Sequence, residues 1–588
     1  SFLILCMEKP LSEYITFSEE LEFVNHEKKI KIAILSSFTI NGLAEVLKIK
    51  CHEKQIFCQT YVGNYNQYHQ EIIDTDSSLY KFDPDITFLI LDTRSILEDL
   101  FFYPYSISKK QKQDFIQQKI DDLQNLVNQF TKNSSSKLII SNAPIPAYSP
   151  YGIAETNSEF GLYDMVLDFN KKIKENIREI NSVFVFDFDR FVSKYGEDNI
   201  FNYQNYFFGD IKITFDYLPL LGESLLSYIV AYFGISKKCI VLDLDNTLWG
   251  GIVGEDGFDG ITLGPQPPGN VFLEFQKHLK SLSQSGIILA INSKNNLNDA
   301  MKVINEHPYM VLREDDFACI VINWGDKVQN LCEIAKQLNI GLDSLIFFDD
   351  DPVNRNYVRS ELPQVSVPEL SNDPSEYSKL LLSLNDFSSF HITDEDTKRK
   401  QMYSQQRKRI DFEKSSTNLI DYLKTLDLHV VIKKADTFTI PRISQLTLKT
   451  NQFNLTTKRY QEEDISKFSS DEKILVGSAQ VSDKFGDNGI TGVFVVNKNN
   501  PEEWFLDTFL LSCRVMGREV EKVMLNSIFE NAKKDGVKKI KAQFIPTQKN
   551  SPIQDFLPSC GFKQENDLWV YSLEKPFNAP SFVNVEEK

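Results

Sequence analysis

Residues 240–251, which read IVLDLDNTLWGG, decide how the central part of this chain folds. The apolar run that begins at Ile240 predicts a buried strand, and the chain leaves it through Asp243 and Asp245. Because side chains alternate between the faces of a strand, two residues spaced two apart are predicted to lie on the same side. Two neighbouring carboxylates repel each other unless a cation or a proton lies between them. We therefore expect a site where this strand ends.

Two further polar motifs follow apolar strands and suit a phosphorylated ligand. The strand IILAI precedes residues 292–295, which offer a hydroxyl and backbone N–H groups near a helix start, and Lys327 follows the residues 323–326. A lysine ammonium can neutralise phosphoryl charge. Since sites in open parallel sheets lie beyond the carboxyl ends of the strands, these groups are expected to meet. The predicted phosphate-binding residues are Thr247, Ser293, Lys294, Asn295 and Lys327.

A second acidic cluster, Asp349 and Asp350, follows the strand SLIFF. Oxygen ligands at a strand end suit a hard cation such as Mg²⁺, which brings a phosphate with it. One carboxylate can then attack phosphorus while another moves the proton of the leaving group. The predicted metal ligands are Asp243, Asp245, Asp349 and Asp350.

The pattern of elements divides the chain into three α/β domains, predicted at residues 1–235, 236–388 and 389–588. In the first two, short apolar runs alternate with helical periodicity, which predicts parallel sheets with helices on both faces, and the second of them is doubly wound. Asn270 and Asp326 are expected to be helix N-caps, and Gly286 and Gly341 helix terminators. The charged residues 392–409 are expected to form a surface helix leading into the third, mixed domain.

Composition excludes several classes of protein. The formal net charge of -18 argues against a nucleic-acid or anionic-membrane partner. No apolar run reaches the roughly 18 residues of a membrane span, and residues 1–6 are too short for a signal segment. The eight cysteines include no CxxC pair, so neither a zinc site nor a disulfide scaffold is indicated, and a reducing, cytoplasmic setting is expected.

Together, the motifs DLDNT, the strand ending at Ser293, Lys327 and FFDDD resemble the four motifs of haloacid-dehalogenase-like (HAD) phosphotransferases. The likeness is closer to the FkbH-like branch, and it extends from about residue 237 through most of the remaining chain, with weaker likeness before it. The segments that carry it are LDLDNTLWGGIVGEDG, INSKNN, NEHPYMVLREDDFACIVINWGDK, FFDDDPVNR, QLTLKTNQFNLTTKRY, DTFLLSCRVMGREVE and FIPTQKNSPIQDFLPSCGF.

The resemblance implies an Mg²⁺-dependent enzyme that loads a glyceryl unit from 1,3-bisphosphoglycerate, or a related lactyl unit, onto an acyl carrier protein. The acceptor would be the phosphopantetheine thiol of the holo carrier, in polyketide biosynthesis. By motif, Asp243 is the nucleophile, Asp245 the acid/base, and Asp350 with Asp349 the metal anchor. The family usually has Glu four residues after the second Asp of the cluster, whereas this chain has Asn354.

The third domain contains a strand, a loop and a helix that resemble those of GNAT-type acyltransferases. The strand DTFLLSCRV runs into residues 514–520, and KVMLNSIFENAKKDG has helical spacing. Such loops bind a pyrophosphate or a pantetheine arm through N–H groups at a helix start. Cys513 is predicted to carry the acyl group, with its pKa lowered by nearby arginines. The predicted pantetheine-binding residues are Arg514, Gly517 and Arg518.

The first domain is similar to SGNH-type hydrolases, with Ser36 and Ser37 at the end of its first strand. That chemistry also needs a histidine base, and none stands near Asp216, where the motif would place it. We therefore expect an SGNH-like, flavodoxin-like fold without hydrolase activity. Two other functions stay open for the whole chain, a free-standing small-molecule phosphatase and a non-catalytic module of a synthase.

Overall fold

The computed structural model describes residues 10–21, 26–391 and 419–588, together with Lys398, Met402, Tyr403, Gln405, Gln406, Arg409 and Phe412. The chain divides into two compact units, residues 1–229 and 230–588. The second unit contains two separate sheets, so the predicted boundary near residue 388 lies within one compact unit. The division into three domains stays a prediction. Among the described helices, none is both long and apolar enough to cross a bilayer.

The first unit contains a five-stranded parallel sheet with the order β2-β1-β3-β4-β5. This is the flavodoxin-like order, and it confirms the predicted fold class. Every residue of β3 and β4 is buried, as expected of a parallel sheet covered on both faces. The strands are β1 Lys28–Ser36, β2 Ile56–Val62, β3 Ile86–Ile90, β4 Lys137–Ser141 and β5 Val183–Phe186. The helices are Leu11–Glu20, Leu43–Glu53, Tyr68–Ile73, Ser78–Phe82, Thr93–Leu97, Lys109–Asn133, Leu162–Ile177, Phe188–Tyr195, Glu197–Ile200, Tyr203–Gly209 and Leu218–Phe233.

The first sheet of the second unit is parallel, with the order β8-β7-β6-β9. Its alternation of strands and helices confirms the predicted doubly wound arrangement. The strands are β6 Cys239–Leu242, β7 Ile288–Ser293, β8 Phe317–Ile322 and β9 Leu345–Phe348. The helices are Val253–Asp256, Gly269–Gln284, Leu297–Glu306, Lys327–Gln337, Pro352–Glu361 and Tyr377–Ser383.

Two of the four predicted helix ends are correct. Asp326 caps the helix Lys327–Gln337 by accepting from the amides of Val328 and Gln329, and Gly286 has a φ of 101° just after a helix. Asn270 is wrong as an N-cap, because that helix already begins at Gly269. Gly341 is also wrong as a terminator. Asn339, with a φ of 51°, takes the left-handed position instead, which asparagine tolerates.

The second sheet of this unit has nine strands and is mostly antiparallel. Eight of them follow the order β16-β17-β15-β14-β13-β12-β10-β18, and the ninth, β11, pairs with β14. The parallel pairs are β14 with β15 and β10 with β18. Its strands are β10 His429–Lys434, β11 Phe453–Asn454, β12 Ile474–Asp483, β13 Gly486–Asn497, β14 Glu503–Leu511, β15 Lys539–Ala542, β16 Lys563–Glu565, β17 Leu568–Ser572 and β18 Asn584–Glu587. Its helices are Leu419–Thr425, Ile440–Lys449, Glu462–Ser470, Val520–Lys534 and Phe556–Ser559.

Strand β14 separates from β15 along its length. The two pair only from Glu503 to Leu506, and beyond that point β11 pairs with Leu510 and Leu511. The short strand β11 therefore occupies the edge that β14 would otherwise leave open. The strand, loop and helix predicted around Cys513 are present, as β14, the turn Cys513–Val515 and the helix Val520–Lys534.

The predicted surface helix at residues 392–409 lies mostly outside the described residues. Of its described members, Lys398 is exposed but Met402, Tyr403 and Arg409 are buried. The Arg409 guanidinium donates to the Asp483 carboxylate at 2.7 and 2.8 Å. Arg409 therefore belongs to the interior of the C-terminal sheet region rather than to a basic surface.

Candidate active site

Three carboxylates meet at the carboxyl edge of the sheet β8-β7-β6-β9. Asp243 follows β6, and Asp349 and Asp350 follow β9, which pairs directly with β6. One oxygen from each of the three side chains lies within 4.8 Å of the others. An all-oxygen set of this kind suits Mg²⁺. The structure thus brings together three of the four predicted metal ligands.

The Lys327 side chain contacts two of these three carboxylates. Its Nζ lies 2.9 Å from Asp243 Oδ1 and 2.9 Å from Asp349 Oδ2, and it donates to the carbonyl oxygen of Asn292 at 2.9 Å. The side chain is 1% exposed. Burial alone would lower the pKa of Lys327, but the charges of Asp243 and Asp349 outweigh it and raise that pKa. The ammonium is therefore held in its charged form at neutral pH.

Negative charge exceeds positive charge in this cluster. Burial, and then the charge of Asp243, raise the pKa of Asp349. Burial, and then the charges of Asp243 and Asp349, raise the pKa of Asp350 to about 6. Three carboxylates surround a single ammonium, which leaves an excess of negative charge. A divalent cation would balance this excess. The residues present therefore fit Mg²⁺.

This excess of charge predicts how Mg²⁺ and pH act on stability. A carboxyl with a raised pKa destabilises the folded protein above that pKa, so the metal-free protein should lose about 1–2 kcal/mol between pH 4 and pH 7, after allowing for solvent screening at Asp350. Mg²⁺ should stabilise the protein more at about pH 7.5 than at about pH 5, because protons compete with it. Thermal unfolding with and without MgCl₂ measures this. An equal stabilisation by Mg²⁺ at both pH values would contradict the interpretation. So would an Asp350→Asn variant in which Mg²⁺ still stabilises the protein more at the higher pH.

The prediction that the Asp245 side chain is a metal ligand is not supported by its position. Its Oδ1 accepts from Trp249 Nε1 at 2.9 Å and from the Val253 amide at 3.1 Å, and its Oδ2 accepts from Asn295 Nδ2 at 2.8 Å. Strand β6 ends at Leu242, so the alternation of a strand no longer governs residues 243–245. The Asp245 carboxylate consequently points away from the three clustered carboxylates, toward the loop that follows them.

The surroundings of Asp245 suit the predicted acid/base role better. Burial, and to a smaller degree the charge of Asp243, raise its pKa, while the hydrogen bonds from Val253, Trp249 and Asn295 act in the opposite direction. A raised pKa favours a carboxyl that can hold a proton and release it. Three donors fix its orientation.

The predicted phosphate-binding residues have different environments. Thr247 is fully buried, and its hydroxyl has no hydrogen-bond partner among the described residues, so it is available to a ligand. Ser293 ends β7 and is 1% exposed. Lys294 is exposed, and its charge is one of the causes that lower the pKa of Asp326. The amide nitrogen of Asn295 is already committed to Asp245, so its predicted contact with phosphate is not supported.

Two residues that support the acidic cluster were not predicted as site residues. The buried Arg355 donates to the carbonyl oxygens of Asp349 at 2.9 Å and of Asp350 at 2.7 Å, which fixes the turn between β9 and the following helix. The Asn354 amide donates to the Asp349 carboxylate at 3.3 Å. The departure at position 354 therefore replaces a negative charge with a hydrogen-bond donor. Both residues stand in the segment FFDDDPVNR, in which the sequence showed Asn354 as a departure from the family pattern but gave no role to Arg355.

Cys513 lies away from the acidic cluster. It is half-buried in the turn after β14, and its carbonyl oxygen accepts from Asn339 Nδ2 at 2.6 Å. Asn339 follows the 11-residue helix whose first residue is Lys327. A helix of that length spans about 16 Å, so the cluster and Cys513 lie near opposite ends of it. The structure does not bring Cys513 together with the phosphate-binding residues.

The predicted pantetheine-binding role of Arg518 is not supported by its contacts, because its guanidinium donates to other residues of this chain. The residue is 5% exposed, and it donates to Asp483 at 3.0 Å, to Gln406 at 2.7 Å and to the carbonyl oxygen of Arg514 at 2.7 Å. Arg514 Nε lies 3.4 Å from Ser512 Oγ, and a further nitrogen of the guanidinium contacts the Met402 sulfur. Gly517 has a φ of 77°, with open space where a Cβ would stand.

Asp483 is predicted to be essential to the stability of this region. Its carboxylate is fully buried between Arg409 and Arg518. Asp483→Asn leaves two buried guanidinium groups without a counter-charge, which should cost about 3–5 kcal/mol. Hydrogen exchange in β12–β14 measures the local free energy of opening. The exposed Asp535→Asn is the matched control, and a loss below about 1 kcal/mol in Asp483→Asn would contradict the prediction.

In the first unit, the two serines at the end of β1 make hydrogen bonds to the backbone. Ser36 Oγ accepts from the Phe38 amide at 3.2 Å, and Ser37 Oγ accepts from the Asp92 amide at 2.8 Å. Asp216 lies in a short 3₁₀ turn, Phe215–Tyr217. Neither of these two serine contacts involves a histidine, and the absence of hydrolase activity stays a prediction.

Two comparisons with known proteins match large parts of this chain. The family model described as "FkbH, N-terminal domain" matches residues 31–230. A solved structure from Bacteroides fragilis, the N-terminal part of the protein BF1531 "containing phosphatase domain complexed with Mg", is 30% identical with a TM-score of 0.59. The match covers 65% of this chain and 100% of that one. No curated protein matches.

Two acetyltransferases also match, at much lower scores. The ribosomal-protein-S18-alanine N-acetyltransferase from Escherichia coli is 11% identical with a TM-score of 0.21, and the match covers 25% of this chain and 96% of that one. The IAA acetyltransferase from Bacillus cereus is 17% identical with a TM-score of 0.19, over 24% of this chain and 99% of that one.

Proposed function

Because this chain belongs to the FkbH family and contains a phosphatase-related domain, we propose that it loads a three-carbon acyl unit onto an acyl carrier protein. The acyl donor is a phosphorylated three-carbon acid such as 1,3-bisphosphoglycerate, and the acceptor is the phosphopantetheine thiol of the holo carrier. The product is a starter or extender unit for polyketide biosynthesis. A reducing, cytoplasmic setting is part of the proposal, since the described cysteines are all free thiols.

The observation that supports the phosphate chemistry best is the cluster of Asp243, Asp349 and Asp350 around Lys327. Asp349 and Asp350 would hold Mg²⁺ together with Asp243. When bound, Mg²⁺ supplies charge neutralisation to the phosphoryl oxygens. The Lys327 ammonium adds a fixed positive charge on the side of Asp243, and the Thr247 hydroxyl offers an uncommitted donor.

Removal of phosphate then proceeds through Asp243. A carboxylate oxygen of Asp243 forms a bond to phosphorus while the bond from phosphorus to the ester oxygen breaks, and Asp245 gives its proton to the departing oxygen. Asp245 next takes a proton from water, which attacks phosphorus and releases inorganic phosphate. This step restores both side chains. The raised pKa of Asp245 suits its two proton transfers.

Acyl transfer is assigned to Cys513. The thiolate attacks the acyl carbon of an acyl phosphate, and inorganic phosphate leaves, so that a thioester forms on sulfur. The pantetheine thiolate of the carrier then attacks that thioester and displaces Cys513. Since Arg518 is committed to Asp483, the positive charge closest in sequence to this thiol is Arg514. Gly517 leaves room beside the loop for a ligand.

Loading onto a carrier is tested by the mass of the carrier. The full chain is incubated with Mg²⁺, 1,3-bisphosphoglycerate and holo carrier, and the carrier is weighed by intact-protein mass spectrometry. We expect the carrier to gain one acyl unit, and no gain when apo carrier, which lacks the thiol, replaces the holo form. An unmodified holo carrier would contradict the proposal.

A free-standing phosphatase is the second candidate function. It is favoured by one observation, the separation between Cys513 and the acidic cluster along the helix Lys327–Gln337. In that case the phosphatase-related domain would turn over simple phosphate esters rapidly without any carrier. Fast phosphate release that the holo carrier does not change, together with an unmodified carrier, would support this second function.

A further inference from the structure

The first unit exposes a group of aromatic side chains on its surface. Beyond strand β5 lies the helix Tyr203–Gly209, in which no residue is buried. Its Phe207 and Phe208 side chains are 77% and 87% exposed, although phenylalanine is among the residues most often found in protein interiors. Two consecutive phenylalanines in solvent add little to the core of their own unit, so packing within the unit does not account for them.

These rings belong to one continuous patch. The Arg94 guanidinium carbon, just after β3, lies 5.8 Å from the ring centre of Phe102 and 5.4 Å from that of Tyr203. It also lies 5.1 Å from the ring centre of Tyr206, which in turn is 5.7 Å from that of Phe207. Arg94 thus holds together rings from two distant segments of the chain. We call the exposed members of this group the aromatic patch: Phe102, Tyr103, Tyr203, Phe207 and Phe208.

The aromatic patch is large enough to contact a macromolecule. Phe102 and Tyr103, whose ring centres lie 6.4 Å apart, are 53% and 65% exposed, and Tyr203 is 40% exposed. Together the five side chains leave roughly 600 Å² in contact with water. This approaches the ~800 Å² that each partner buries in a protein–protein interface of standard size. Contiguous exposed apolar surface of this extent marks interaction sites.

The charges around the aromatic patch are mainly negative. Residues 94–103 and 196–212 contain five carboxylates, which are Glu98, Asp99, Glu197, Asp198 and Asp210. Their two cations are Arg94, which lies among the rings, and the buried Lys212. Glu98 is also paired with Lys119, which still leaves more carboxylates than cations. A border of this sign attracts basic groups and repels nucleic acids and anionic lipids.

We propose that the aromatic patch docks a partner protein through a surface that combines apolar and basic side chains. The apolar side chains of the partner cover Phe207 and Phe208, and its lysines or arginines meet the surrounding carboxylates. A second copy of this chain fits less well, because the same acidic border would face itself across a two-fold interface, and the whole chain has a net charge of -18. The proposal concerns the first unit and does not depend on the chemistry assigned to the second.

The test uses a fluorescent peptide of about 18 leucines and lysines, patterned as an amphipathic helix. Its anisotropy is measured while the full chain is titrated in. We expect saturable binding that is at least about tenfold tighter than that of a matched leucine and glutamate peptide. A lysine and serine peptide, which keeps the charge but lacks the apolar face, should also bind at least about tenfold more weakly. No saturable binding of the first peptide, or equal binding of either comparison peptide, would overturn the proposal.

Variants locate the binding on the aromatic patch. Phe207→Ser combined with Phe208→Ser should weaken binding of the leucine and lysine peptide at least about tenfold. The control combines Ile15→Ser with Leu167→Ser, which removes two exposed apolar side chains from other helices of the same unit. It should leave binding within about twofold. Thermal unfolding shows whether each variant folds, and unchanged binding in the folded phenylalanine variant would overturn the proposal.

Two other occupants of the aromatic patch are outcomes of the same series. Light scattering reports self-association of the full chain, and flotation with phosphatidylcholine vesicles reports binding to a neutral lipid surface. We expect neither in the wild-type protein. Self-association or vesicle binding that is lost when Phe207 and Phe208 are replaced would overturn the choice of a basic partner protein.

Discussion

Asp243→Asn is expected to lower phosphate release at least about 10³-fold, because an amide cannot form the bond to phosphorus that the carboxylate forms. The substitution keeps the size of the side chain, and Lys327 keeps its partner Asp349 at 2.9 Å. The protein should therefore fold. Steady-state release of inorganic phosphate from a phosphorylated three-carbon acid, with Mg²⁺ present, measures the loss.

The matched control for this variant is Asp315→Asn, which removes the same charge from an exposed turn before β8. It should leave phosphate release within about twofold. Should Asp243→Asn keep more than about a tenth of the wild-type rate, Asp243 would not be the nucleophile, and the cluster would have to act on phosphate without a covalent step.

Cys513→Ala is expected to abolish acylation of the carrier, by at least about 10³-fold, while phosphate release from a simple phosphate ester stays within about twofold. The reason is geometric, since Cys513 lies near the far end of the helix Lys327–Gln337 from the acidic cluster. The two activities should therefore separate. Parallel assays of phosphate release and of the carrier mass measure both on one preparation.

Cys332→Ala is the control for the second prediction, because Cys332 is an exposed free thiol in the same unit. The Cys332→Ala variant should retain both phosphate release and acylation of the carrier. Carrier acylation that survives in Cys513→Ala would remove the thioester from the proposal and leave direct attack by the pantetheine thiol on the acyl donor.

The acidic site was predictable from the sequence because each of its parts follows an apolar strand. Parallel strands end at one edge, so Asp243, Asp349 and Lys327 had to meet once the sheet was predicted. The contacts of the Asp245 side chain depart from its predicted role as a metal ligand for a local reason. The strand stops at Leu242, and period-two reasoning was extended past its end.

Partners that are distant in sequence could not be predicted in this way. The sequence of its loop predicted that Arg518 binds a ligand. Its counter-ion Asp483, however, is the last residue of strand β12, 35 residues earlier. The aromatic rings around Arg94 include Phe101 and Tyr206, which lie about 105 positions apart in the sequence, so no local pattern joins them. In both cases tertiary packing decides which contacts an arginine makes.

The central claim is that Asp243 becomes phosphorylated in a pocket of acidic side chains, and peptide mass mapping tests it most directly. The full chain is mixed briefly with Mg²⁺ and a phosphorylated three-carbon acid, quenched in acid and digested. The account predicts one added phosphoryl group on Asp243, absent when Mg²⁺ is removed. Release of phosphate with the phosphoryl group on a different residue, or on none at any mixing time, would contradict it.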